Sequence, residues 1–168
     1  MLSIQISDIK DFMSHLLSKD TFDHFYFIEA SIKMGVSYQI QGRINEGFYD
    51  TSVEQTLNRE FCYWKEIRHR IFDIIKGKRL PLSCKIVLGL SKQSISYLIA
   101  HNNSSFREED IEGIYVNILY DPKNLLITTG ISYKNFSLDK SLEYAFDEYL
   151  AKFLKEKAVI KYNNLKHI

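Results

Sequence analysis

Cysteine, proline and glycine are scarce in this chain, with two, two and seven copies among 168 residues. The cysteines, Cys62 and Cys84, have no C-x-x-C spacing and no set of ligands nearby, which excludes a disulfide framework and a zinc site. They read as inert buried thiols. Few glycines and prolines favour long regular elements over a loop-rich enzyme. An excess of one charge is also lacking: the formal net charge is +1. That removes any global electrostatic argument for nucleic acid or membrane binding, so such a role must rest on a local patch. No apolar run approaches the ~20 residues that span a bilayer. The N-terminal "MLSIQISDIKDF" has neither the basic nor the continuous apolar region of a secretory signal. The expectation is a cytoplasmic protein with no membrane partner.

Aromatic residues are plentiful, with eleven Phe and eleven Tyr, and hydrophobic residues reach 45% against 26% charged. A chain of this length buries roughly 70% of its unfolded surface. It therefore needs no metal or cofactor to fold, and none is expected. Residues 1–157 read as one domain and 158–168 as a basic, frayed tail.

Along the chain, Leu2, Ile4 and Ile6 alternate as a strand. Ser7 then caps a helix with Ile9, Phe12, Met13, Leu16 and Leu17 on one face. "HFYFIEASIK" (24–33) and "VSYQIQGRI" (36–44) form a hairpin across Met34-Gly35. Ser52 and Gln55 have capping-box spacing, and Val53, Leu57, Phe61, Trp64, Ile67 and Ile71 follow at helical intervals, which predicts one long helix ending near Gly77. "LSCKIVLGL" is the next strand, and Ser91 caps a helix with Ile95, Leu98 and Ile99. "IYVNILY" and "LLITTGISY" flank the turn Asp121-Pro-Lys-Asn124. A last amphipathic helix runs from Leu138 through Leu154.

The order strand, helix, hairpin, helix thus occurs twice, over 1–78 and 79–157. The predicted class is α+β: an antiparallel sheet of about six strands, helices on one face, and a β-α-β-β-α unit that reads as duplicated. In element order this resembles the TATA-box-binding protein and the sliding clamps, but fold analogy alone does not carry function. Strand parity puts Leu2, Ile4, Tyr26, Ile28, Ile32, Ile40, Ile86 and Leu88 against the helices. Ser3, Gln5, Glu29, Ser31, Lys33, Gln39, Lys85, Asn117 and Thr128 then face away, as does Arg43.

The densest charge lies around "IFDIIKGKRLPLSCKIVLGL" (71–90). From Lys65 to Lys85 seven Lys or Arg stand against Glu66 and Asp73, a local excess of five positive charges. One reading is an anion-binding corner made by Lys76, Lys78, Arg79, Lys85 and Arg43, since phosphate contacts need cations and no base identity. The other is structural: cations favour a helix C-terminus, Gly77 supplies a left-handed cap, and Pro81 forbids continuation. A nucleotide-hydrolysing loop is excluded by order, because it needs its glycines between a strand and a helix N-terminus. His15, His24, His69, His101 and His167 have no partners at metal-ligand spacing, and Cys62 lies too far from His69 on the predicted helix for a nucleophile pair. "EED" at 108–110 reads as a solvated loop. Asp139, Glu143 and Asp147, with Lys140 beside them, read as a solvated helix face.

Taken together, "FYFIEASI", "GRINEGFY", "IKGKRLPLSCKIVL" and "FSLDKSLEYAFDEYL" resemble a bacterial family, domain of unknown function family 5721, over about residues 1–157. The resemblance implies a small stand-alone cytoplasmic protein and brings no catalytic residue with it. The leading expectation is a non-enzymatic binding module for an anionic partner, nucleic acid included, using the basic corner and the open sheet face. The alternative is a protein-interaction or scaffold module that pairs with itself as a homodimer. A small-molecule enzyme is the third class, and no nucleophile with its base supports it.

Overall fold

Alternating apolar residues build the sheet. A computed structural model of the chain describes residues 1–49, 58–102, 104–157 and 159, and the backbone of 165–167. The strands are β1 (Leu2–Gln5), β2 (Tyr26–Lys33), β3 (Ser37–Gln41), β4 (Ser83–Gly89), β5 (Ile111–Tyr120), β6 (Leu125–Tyr133) and β7 (Leu165–His167). The described helices are α1 (Ile9–Leu17), α2 (Trp64–Ile75), α3 (Lys92–His101) and α4 (Ser141–Glu156). All strand neighbours are antiparallel, in the order β3-β2-β4-β5-β6-β1-β7. The α+β class with an open antiparallel sheet is therefore as predicted. No helix among the described residues is long and apolar enough to cross a membrane.

One parity of strand residues, including Ile4, Ile32, Ile86, Ile118 and Ile127, joins Phe12, Trp64, Leu98 and Phe146 of the four helices in a single core. The other parity forms an open face on which Ser3, Thr128, Asn117 and Glu29 share one row and Gln5, Lys85, Ser31 and Gln39 the next. Its polar groups bond to one another: Lys85 to Glu29 at 3.1 Å, Gln39 to Ser31 at 3.3 Å and Asn117 to Thr128 at 3.4 Å.

Four expectations change. A bulge between Phe27 and Glu29 adds one residue to β2, so Phe27 enters the core opposite Leu88. Tyr26 and Ile28 therefore do not face the helices as simple alternation implies. Tyr26 packs instead against Tyr63 and Phe61. Second, the long helix begins only at Trp64. Residues 61–63 are extended, with Cys62 N–H donating to Gly42 O and Phe27 N–H to Cys62 O, and the expected Ser52–Gln55 cap lies outside the described residues. Third, Asp147 is not on a solvated stripe. It is 3% exposed and accepts from Thr129 Oγ1 at 2.6 Å and from Leu2 N–H at 3.1 Å. Asp139 precedes the last helix, which starts at Ser141 rather than Leu138, and accepts from Ser105 and the Ser141 N–H. Fourth, the tail does not simply fray, since Leu165–His167 pairs with β1.

The repeated element order is present, but the halves do not occupy equivalent places. β4 lies between the two hairpins, whereas β1 lies outside β6.

Candidate functional site

The basic stretch is best understood from the two helices it follows. α1 turns Phe12 and Leu16 into the core and leaves Ile9, Met13 and Leu17 along its flank, one helical turn apart. α2 buries Trp64 and Ile71 and leaves Phe72 and Ile75 on the side toward α1. The C-terminal carbonyls of α1 have no partner within the helix. α2 supplies them: the Trp64 indole donates to Leu16 O at 2.7 Å, and Arg68, ion-paired to Asp23 at 2.7 Å, reaches Leu17 O at 3.3 Å. The two helices are thereby fixed side by side.

α2 stops at Ile75, with Lys76 as an extended cap whose N–H still donates to Phe72 O. Gly77 has a φ of 154°, a value that an L side chain resists but well away from the left-handed helix cap expected of it. Pro81 is buried, while Leu80 on one side of it is 68% exposed. The Leu82 N–H donates to Lys33 O and starts β4.

Between α1, the end of α2 and this turn runs a groove of about 590 Å³. Ile9, Met13 and Leu17 form one wall and Phe72, Ile75, Leu80 and Pro81 the other, with Cys84 and Tyr120 beneath and Pro122 at one end. Ser14, Ser18, Lys10 and Lys76 also line it, and among the described residues no acidic side chain does. The Cys84 thiol is pushed up to about 12 by burial, which makes it an inert part of the floor.

The five basic residues singled out in the sequence are not one surface. Lys76, Lys78 and Arg79 meet at the turn, but Lys76 is 2.6 Å from Asp73. Lys85 stands on the open face with Glu29. Arg43 follows β3 at the opposite end of the hairpin, paired with Glu60 and stacked over Phe61 at 5.7 Å. Lys78 and Arg79 have no ion-pair partner among the described residues.

A second recess of about 510 Å³ has a mixed polar and apolar lining that includes His24, Tyr63, Lys65, Tyr97 and Tyr149, beside the start of α3. Ser91, whose hydroxyl accepts the Ser94 N–H, also borders it. Among the described residues of either recess, no nucleophile is hydrogen-bonded to a base. Among the described residues no group of three His, Cys, Asp or Glu could hold a metal ion. His15 is occupied structurally, with Nδ1 2.9 Å from Thr21 Oγ1 and Nε2 3.0 Å from Lys19 Nζ. The Cys62 thiol is pushed up, chiefly by burial and then by Glu66, away from the thiolate form a nucleophile requires.

The groove was the feature hidden from sequence reading. Its signal was present as Leu80, a large apolar residue beside a proline in an otherwise charged turn. A family model described as "Family of unknown function (DUF5721)" matches residues 15–163. No curated protein and no solved structure matches the chain.

Proposed function

The chain belongs to the DUF5721 family of unknown function, and from its groove we propose a non-enzymatic binding module whose partner is an acidic, amphipathic helical segment of another protein. One observation carries this reading: the groove is mainly apolar, and among the described residues it is lined by two lysines and no carboxylate, with Lys78 and Arg79 beside it lacking an ion-pair partner. Helix-in-groove recognition places apolar anchors at i, i+3 or i+4, and i+7 into such a cleft. The flank from Ile9 to Leu17 is about 12 Å long at 1.5 Å per residue, which matches roughly two turns of a docked helix. Glutamates flanking those anchors would meet Lys10, Lys78 and Arg79, Lys76 being paired with Asp73, which adds encounter rate and orientation. Leu80 and Phe72, 68% and 38% exposed at the lip, call for a cover wider than a single acyl chain.

Nucleic acid is the weaker reading of the same charge. Glu29 and Glu60 already neutralise Lys85 and Arg43, which leaves few cations to displace counterions from a phosphate backbone.

The test is fluorescence anisotropy with three labelled probes: a helical peptide with leucines at i, i+4 and i+7 flanked by glutamates, its lysine-flanked twin, and a DNA duplex. The glutamate peptide is expected to bind most tightly, to weaken with salt, and to lose at least tenfold with Leu80→Ser. Equal binding of the two peptides, preference for the duplex, or indifference to Leu80→Ser would overturn the proposal.

A further inference from the structure

Among the described residues, the strand at one end of the sheet carries none of the usual guards against pairing. β3 is last in the sheet order, and among the described residues nothing pairs with its outer side. An open edge presents unpaired N–H and C=O groups, and natural sheets blunt it with lysine, proline, a bulge or brevity. β7, at the far end, is three residues long. β3 has five residues, Ser37-Tyr-Gln-Ile-Gln41, none charged and none proline, in unbroken register with β2. Four of the five are exposed, and Val36 just before them is 64% exposed.

The order of side chains makes this edge complementary to itself. The register puts Tyr38 and Ile40 on the helix-covered side, opposite Ile32 and Ala30 of β2, and puts Ser37, Gln39 and Gln41 on the open side. An antiparallel pair of β3 strands related by a two-fold axis through Gln39 sets Tyr38 of each copy opposite Ile40 of the other. Ser37 then faces Gln41, and Gln39 faces its own counterpart. Aromatic with β-branched and amide with amide are favourable cross-strand pairs, and no like charges meet. On the open side Lys33 of β2 stands beside Ser37, and Arg43, just beyond the strand, is bound to Glu60. A closed two-fold contact of this kind uses the same patch on both copies.

We propose that β3 is a self-pairing edge, along which two copies of the chain join antiparallel about Gln39 to make one continuous sheet. It uses a different surface from the groove and does not depend on that reading.

Analytical ultracentrifugation of the full chain over a concentration series tests it. The mass is expected to rise from that of one chain to that of two. Gln39→Lys and Gln39→Glu, each placing a charge opposite its own copy on an exposed site, are each expected to remain monomeric and to melt where the wild type melts at dilutions that leave it a monomer. An equimolar mixture of the two is expected to recover the dimer. A wild-type monomer at every concentration overturns the proposal. So does a Gln39→Lys dimer, and failure of the mixture to associate overturns the Gln39 axis.

Discussion

Replacing Trp64 by phenylalanine removes one hydrogen bond and part of one ring from the joint between α1 and α2. Trp64 is fully buried, 5.7 Å from the Phe27 ring, and its indole N–H serves the Leu16 carbonyl in the last turn of α1. A buried carbonyl left without a partner costs about 1–3 kcal/mol. The smaller ring leaves a void worth about 1 kcal/mol at roughly 24 cal/mol per Å³. A destabilisation of roughly 3 kcal/mol is expected, and in a chain of this size that lowers the melting temperature by about 6–12 °C. Trp64 is the only tryptophan, so unfolding in urea is followed by far-ultraviolet circular dichroism rather than by fluorescence. The midpoint should move at constant slope. Because α1 and α2 are the groove walls, the glutamate-flanked peptide should also bind more weakly. A loss below about half a kcal/mol, the level of an ordinary surface substitution, would refute the view that Trp64 holds the two helices together.

Gly42→Ala should be costly, because a Cβ there would lie 1.8 Å from the Phe27 carbonyl oxygen, a backbone atom that has nowhere to go; urea unfolding should give at least about 2 kcal/mol, and an unchanged midpoint would contradict the close approach. Arg59, hydrogen-bonded to Glu66, holds that carboxyl below its ordinary value, and the Tyr63 N–H adds to the effect. A depressed folded-state pKa contributes stability that is present above the unfolded value and lost as pH falls through the folded one. Denaturation across a pH series should therefore show Glu66→Gln less stable than wild type near neutrality, with the gap closing in acid. Cys84, with its thiol pushed up to about 12, should resist alkylation in the native protein and react once it is unfolded; rapid native labelling at this residue, read by mass spectrometry, would refute its burial.

Local chemistry made much of the fold legible. Ser91 accepts the Ser94 N–H at the start of α3, and Asp121 accepts the Lys123 and Asn124 N–H groups in the second hairpin, as their side chains suggest. The parity of β1 and β4 also follows from alternation. The failures have definite causes. The bulge in β2 shifts the register after Phe27, which period-two reasoning cannot detect. Phe61, Trp64, Ile67 and Ile71 keep helical spacing across a boundary where the backbone changes from extended to helical, so periodicity placed the helix start too early. The groove was illegible for another reason: Met13, Phe72, Leu80 and Pro122 come from segments separated by up to more than a hundred residues, and each alone reads as an ordinary flank or turn. The basic stretch dispersed because Lys85 and Arg68 meet carboxylates distant in sequence, Glu29 and Asp23, while Lys76 is paired with Asp73 on its own helix.

The position of β1 outside β6 has a consequence for how the chain acquires its shape. Ser3 pairs with Thr128, and the Leu2 N–H with Thr129 and Asp147. β1 therefore finds its berth beside β6 only after more than a hundred further residues have emerged from the ribosome. β2, β4 and β5 can pair in sequence while β1 waits, and closing so long a loop is slow. Docking of β1 is thus expected to be a late event in folding, and until it occurs the outer edge of β6 stays open to a wrong neighbour.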